Sequence, residues 1–228
     1  MQRIPEPDLM DDDAQARAYA EADFAEAHQN VIALFQQRWP ERTIAGRVLD
    51  LGCGPADISI RFARAFPDCE IEGVDGADEM LAYGIKAVAA AGLSTRIDLQ
   101  KCYLPDETLQ QQSFDVVISN SLLHHLHDPM TLWQTIRACA KQNSDAGINA
   151  GTPVFVMDLM RPENEAEVER LVELYVANEP DVLRHDFHHS LFAAYRVDEV
   201  RAQLDAAGLH TLTVEAVSDR HLIVAGLL

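Results

Sequence analysis

The sequence predicts an α/β fold: one mostly parallel sheet of seven strands, helices on both faces, and an antiparallel hairpin at its end. Three observations predict it. From residue 47 onward, short apolar runs alternate with helix-period segments, the pattern of strands joined by crossover helices. The first run, Val48 to Leu51, ends in a glycine turn, Gly52 to Pro55, that leads into a helix. The last two runs, 212–217 and 222–227, have only Ser218 to His221 between them, so they pair antiparallel as a hairpin.

Each element follows from its residues. Positions 1–10 form an extended arm, because Pro5 and Pro7 block a helix. The Ala- and Glu-rich stretch 11–27 predicts a helix with a partial apolar face of Tyr19, Ala20, Phe24 and Ala27. A second helix, 29–38, turns Val31, Ile32, Leu34 and Phe35 to the core, with Trp39 after it. Strand one is 47–51, and Asp57 caps or opens the helix 57–66. Strand two is 70–75. The helix 78–91 carries Met80, Leu81, Ile85 and Val88 at helical spacing and stops at Gly92. Strands 96–101 and 114–119 follow, then a helix 129–141 with Leu132, Trp133, Ile136 and Ala140. A polar, Gly-containing loop spans 142–151, and strand five is 153–158. Residues 159–196 break the alternation with an acidic helix, 163–175, read as a solvated face, and a His-rich segment. The helix 197–207, closed by Gly208, precedes the hairpin. The expected organisation is an arm and helical cap at 1–44 and a domain at 45–228, within which 159–196 is a substrate-side insertion or lid.

Composition narrows the partners. The chain has 228 residues, enough for one domain that buries roughly 70% of its unfolded surface. A net charge of −19 argues against a nucleic-acid backbone and against an anionic membrane surface. Cys53, Cys69, Cys102 and Cys139 are spread without a C-x-x-C pair, so neither a zinc site nor a disulfide framework is expected. The acidic, proline-containing start does not read as a signal peptide, and no apolar run approaches ~20 residues. The expectation is a cytoplasmic, bacterial protein with no nucleic-acid partner and no membrane insertion; a homodimer is left open.

Open α/β sheets bind ligands at the carboxyl ends of their strands, here beside Gly52 and Gly54. Asp50 selects among nucleotide-like ligands, because a pyrophosphate at the helix N-terminus would be repelled by it. The third glycine of a dinucleotide fingerprint is replaced by Asp57. S-adenosylmethionine brings no phosphate, and its ammonium and sulfonium suit an acid. The run Asp50-Leu-Gly-Cys-Gly-Pro55 resembles motif I of class I S-adenosylmethionine-dependent methyltransferases, which implies a Rossmann-like fold and the cofactor S-adenosylmethionine, released as S-adenosylhomocysteine. The seven strands with a closing hairpin match the sheet of that family.

The resemblance implies roles for particular residues. Gly52, Cys53 and Gly54 meet the methionine end, and Asp75, at the tip of strand two, takes the ribose hydroxyls. Gly76 and Met80 lie under the adenine, although Met80 also stands at core spacing in its helix. The family's acid after strand three is missing; Cys102 and Tyr103 occupy that loop, which leaves adenine to backbone amides and packing or to Asp106. The stretch Ser119 to Asp128 resembles that of small-molecule methyltransferases, with Asn120 and Ser121 at the methionine portion and His124 or His125 as a general base. Tyr19 from the N-terminal helices reaches the cofactor carboxylate. His185, His188, His189 and Tyr195 face the substrate, with Phe192 beside them, and Arg161 or Arg184 could anchor a substrate carboxylate. No metal is expected, because the His-x-x-His spacing fits no standard site. The expected reaction is methyl transfer to a small molecule by direct displacement. The alternatives are an NAD(P)-linked oxidoreductase, disfavoured by Asp50, and a non-catalytic S-adenosylmethionine-binding subunit.

Overall fold

The computed structural model describes residues 1–6, 13–22, 24–141 and 150–228. Its seven strands are β1 (Gly46–Leu51), β2 (Cys69–Asp75), β3 (Ile97–Lys101), β4 (Val116–Asn120), β5 (Pro153–Leu159), β6 (Leu212–Ala216) and β7 (His221–Leu227). They stand in the order β3-β2-β1-β4-β5-β7-β6. The first five pair parallel, and β7 inserts antiparallel between β5 and β6. The strand order reverses at β1 and β4, which places a crevice at their carboxyl ends.

Alternation along the strands builds a core on each face. Leu49, Leu51, Val117, Val154 and Val156 face one side, where they meet Trp133 and Ile136 of α5 (Met130–Cys139) and Val200 and Leu204 of α8 (Val197–Ala207). Val48, Ile71, Val116, Ile118 and Phe155 face the other. There they pack on Phe35 of α2 (Ala25–Arg38) and Ile58 and Phe62 of α3 (Asp57–Ala65). The sheet is therefore covered on both faces, as its near-continuous apolar strands require.

The N-terminal expectation changes in one respect. The single helix expected over 11–27 is α1 (Asp13–Glu21), and α2 already begins at Ala25. Phe24 lies between them and stacks on Tyr19 with ring centroids 4.9 Å apart. Strand four starts later than expected: Phe114 forms an isolated bridge to Ala140, and β4 proper runs to Asn120. Helix α4 (Asp78–Ala90) and the segment after β5, now α6 (Glu165–Val176) and α7 (Asp181–Ala193), complete the set. The loop expected at 142–151 falls largely outside the described residues. Among the described residues no helix is long and apolar enough to cross a membrane.

Candidate active site

The glycine turn is built by β1 and β2 together. The N–H groups of Gly52 and Cys53 donate to the carbonyl of Val74 at 2.8 and 3.1 Å, and that of Gly54 donates to Asp75 Oδ2 at 2.8 Å. Gly54 holds φ +50°, and a Cβ there would point into open space. Gly84 of α4 serves the same turn from behind: a Cβ on it would stand 3.2 Å from the Gly54 carbonyl oxygen and 2.9 Å from Leu99. Its small size lets α4 lie against the loop, a requirement that helical spacing alone did not reveal.

Two acids flank this turn in different ways. Asp75 accepts from Gly54 on one oxygen and from the Ala77 N–H on the other, at 2.9 Å. Burial raises its pKa, opposed by those donated hydrogen bonds. Asp50 was expected to present its charge beside the glycines, yet it is 1% exposed. Its Oδ2 accepts from the Ser59 hydroxyl of α3 at 2.5 Å. Burial pushes its pKa up to about 7. Asp75 is thus the acid that touches the turn, and Asp50 braces the turn from beneath. The difference arises because side chains alternate along β1, and position 50 faces α3.

The remaining cofactor-side residues divide. Tyr19 sits over this end of the sheet, where burial and then the charges of Asp57, Asp75 and Asp158 push its pKa up to about 12. Gly76 follows Asp75 directly and lends that carboxylate a further backbone hydrogen bond. Met80 packs with Ala16 and Ala77 in a small cluster between α1 and α4. The Cys102 N–H donates to the Asp75 carbonyl at 2.9 Å, which places the post-β3 loop beside Asp75. Tyr103 is exposed, under the Lys101 ammonium, and Asp106 caps a short turn by accepting from the Leu109 N–H. Ser121 adopts φ +58° and donates its N–H to the Met157 carbonyl, so the chain turns sharply as it leaves β4; the Asn120 amide donates to the Ser121 hydroxyl.

The two histidines beyond that turn have different surroundings. His124 is buried, and its Nδ1 lies 2.6 Å from Asp158 Oδ1. Burial disfavours the charged imidazole, but the charge and hydrogen bond of Asp158 raise its pKa above the ordinary value. Asp158 also accepts the N–H groups of Leu123 and Leu159. His125 is partly exposed, and its Nδ1 lies 2.5 Å from Glu6 Oε2. Glu6 takes a further hydrogen bond from the Ser190 hydroxyl at 2.6 Å. Burial alone would raise Glu6, yet its bond to His125, the charges of both histidines and Ser190 bring it down to about 2. The charge of His125 also works to lower the Asp75 pKa, against the larger effect of burial.

Glu6 belongs to an arm that sequence reading placed only as extended chain. Arg3 donates to the carbonyls of Ala193, His124 and Leu126 and stacks over Tyr195 at 4.1 Å. The Ile4 N–H donates to the Phe192 carbonyl. The arm therefore ties the β4 mouth to α7. Asp158 was also missed, though a lone acid in the otherwise apolar, fully buried strand PVFVMDL marks it.

The histidines of α7 are less unified than their spacing implied. His185 and His189 are exposed and stack on each other at 4.0 Å. His188 turns to Glu169 of α6 at 3.2 Å. Tyr195 was expected to face the substrate, but it is buried in the core and donates its hydroxyl to the Leu126 carbonyl. Arg161 is likewise buried, bonded to the Ala194 carbonyl and Glu199, which removes it as a substrate anchor. Arg184 lies 3.8 Å from Asp181.

Residues 48–143 match a family described as methyltransferase domain. Over this segment the chain is similar to methyltransferase domains. The segment contains the glycine turn, Asp75 and both mouth histidines. A ribosomal RNA small subunit methyltransferase C from Shewanella loihica is 36% identical over 110 residues, which are 48% of this chain and 30% of that protein. A trans-aconitate 2-methyltransferase from Mycobacterium tuberculosis is 40% identical over 81 residues, 35% of this chain and 27% of that protein. The chain thus spans about a third of the length of the curated relatives it matches. Solved structures share the whole fold. A SAM-dependent methyltransferase from Aquifex aeolicus superposes with a TM-score of 0.62 at 17% identity, covering 95% of this chain and 98% of that one. The plantazolicin methyltransferase BpumL, solved with SAH, gives 0.65 at 11% identity over 95% and 90%.

Proposed function

We propose that the protein transfers the methyl group of S-adenosylmethionine to a small-molecule acceptor. The observation that carries this reading is the Gly54 turn: open space where a Cβ would point, with the Asp75 carboxylate bonded to its N–H. An anion at the turn repels a pyrophosphate and suits a cationic nucleoside, so the donor set fits S-adenosylmethionine better than a dinucleotide. Gly52, Cys53 and Gly54 would hold its methionine end. Asp75 would take the ribose, and Gly76 and the Cys102 loop would flank the adenine. Tyr19, Asn120 and Ser121 would close around the methionine portion. The sulfonium supplies a methyl that is already activated.

The chain's own part is to position the acceptor in line and keep water out. The acceptor approaches from the wall formed by His124 and His125. Where it must lose a proton, His125 takes it, because its ring is partly exposed while His124 is buried with its Nδ1 committed to Asp158. His185 and His189, exposed on α7, are that helix's candidates for contact with the acceptor. The charge of −19 favours a small acceptor over the nucleic acid named for one relative.

Calorimetric titration with S-adenosylhomocysteine and with NADH tests the cofactor assignment. The reading predicts saturable binding of the former only; binding of NADH alone would overturn it. Turnover with a panel of small acceptors then tests the acceptor class, and His125→Ala should lower turnover ~100-fold while leaving S-adenosylhomocysteine affinity nearly intact.

A further inference from the structure

One oxygen of Glu6 and one nitrogen from each of His124 and His125 lie within 4.8 Å of one another. These are the donors that divalent first-row ions select: two imidazoles and a carboxylate. The three groups are partly or fully buried, and they come from two segments far apart in sequence. The Glu6–His125 pair accounts for two of them. It does not account for His124, whose Nδ1 is held by Asp158 at 2.6 Å, leaving Nε2 as the nitrogen able to ligate. A carboxylate behind an imidazole fixes its tautomer and raises its basicity, as found behind ligating histidines. Ser190 supports Glu6 from the other side in the same manner. Ligands around a tetrahedral ion stand roughly 3.4 Å apart, given bonds of roughly 2.1 Å, so small side-chain movements would close the set.

We propose that Glu6, His124 and His125 bind a divalent transition-metal ion, which fastens the N-terminal arm across the β4 mouth. Three protein donors leave a coordination position open. An oxygen-donor acceptor, such as a hydroxyl beside a carboxylate, would take that position. Ligation lowers the pKa of that hydroxyl, and its proton leaves to solvent. The oxygen then forms its bond to the methyl carbon as the S–CH3 bond breaks, and the electron pair returns to sulfur. This use of the ion rests on the methyl-transfer reading and, where the ion is bound, replaces proton transfer to His125; the ion site itself depends on neither.

The test is calorimetric titration of the chelator-treated full chain with Zn2+, and then with Co2+ to read the coordination spectrum. The expected result is one ion per chain and a cobalt spectrum of low-coordinate nitrogen and oxygen ligation. Glu6→Ala and His125→Ala should each weaken binding at least 10-fold, and Asp158→Asn by 10–100-fold. His210→Ala, an exposed histidine beside Asp205, should leave it unchanged. Melting curves confirm that the Glu6 and His125 variants fold, and these two keep the test decisive if Asp158→Asn does not. Absent saturable binding, or undiminished affinity in both Glu6→Ala and His125→Ala, would overturn the site. S-adenosylhomocysteine binding to the metal-free chain, measured alongside, separates a failure of this site from a failure of the methyl-transfer reading.

Discussion

The two halves of the opening are assembled in opposite ways. The half where we propose the cofactor binds is almost contiguous: the glycine turn after β1 and the tip of β2 supply Gly52, Gly54 and Asp75. The half where we propose the acceptor enters draws Glu6 from the arm, His124 and His125 from beyond β4, Asp158 from β5 and Ser190 from α7. A turn made by neighbouring residues is fixed by local geometry and leaves a motif. A wall made from distant segments depends on how the whole sheet and its covering helices pack, and it leaves no motif.

The largest expected effect lies in the acceptor half. Asp158→Ala would orphan the buried N–H groups of Leu123 and Leu159 and remove the partner of His124, costing on the order of 3–5 kcal/mol in a urea-unfolding measurement. A loss below 1 kcal/mol would show that the wall is not held by that carboxylate.

The cofactor half carries a stability cost of its own, readable through pH. Asp50 keeps its proton in the folded state up to about pH 7, against a reference value of 3.8. The folded state therefore binds more protons than the unfolded one between these values, so stability falls as pH rises through that window. Asp50→Asn should remove this dependence and gain up to roughly 4 kcal/mol at pH 8, with the gain vanishing near pH 4. Parallel pH profiles for the two proteins would place Asp50 in a solvated setting instead.

Much of this was legible beforehand. The strand and helix order followed from periodicity, and Gly52, Gly54 and Asp75 from one motif and its spacing. The side-chain placements were less legible. Asp50 and Asp75 both read as acids near a turn, and only the pleat of β1 and its cover by Ser59 separate them. Tyr195 and Arg161 read as pocket groups because they lie in the irregular segment, but burial against Leu126, Ala194 and Glu199 takes them into the structure. Glu6 was invisible, since a proline-flanked arm says nothing about what it will meet across the fold.

Smaller effects sharpen the contrast. Asp75→Ala should weaken S-adenosylhomocysteine binding by about 1.5–3 kcal/mol, through loss of a charge-assisted contact, and unchanged affinity would take Asp75 out of the site. His188→Ala should change unfolding stability by less than about 0.5 kcal/mol, because its ring meets Glu169, His189 and Phe192 near the surface. A larger loss would mean that α7 is held to α6 through that histidine.

On this proposal the two halves meet around one sulfur atom, which a crystal structure of the chain with S-adenosylhomocysteine would show. The expected density has the nucleoside ribose on Asp75, the methionine end against Gly52 and Gly54, and the sulfur turned toward the wall of His124 and His125. Density for the ligand elsewhere, or a sulfur turned away from both histidines, would contradict it.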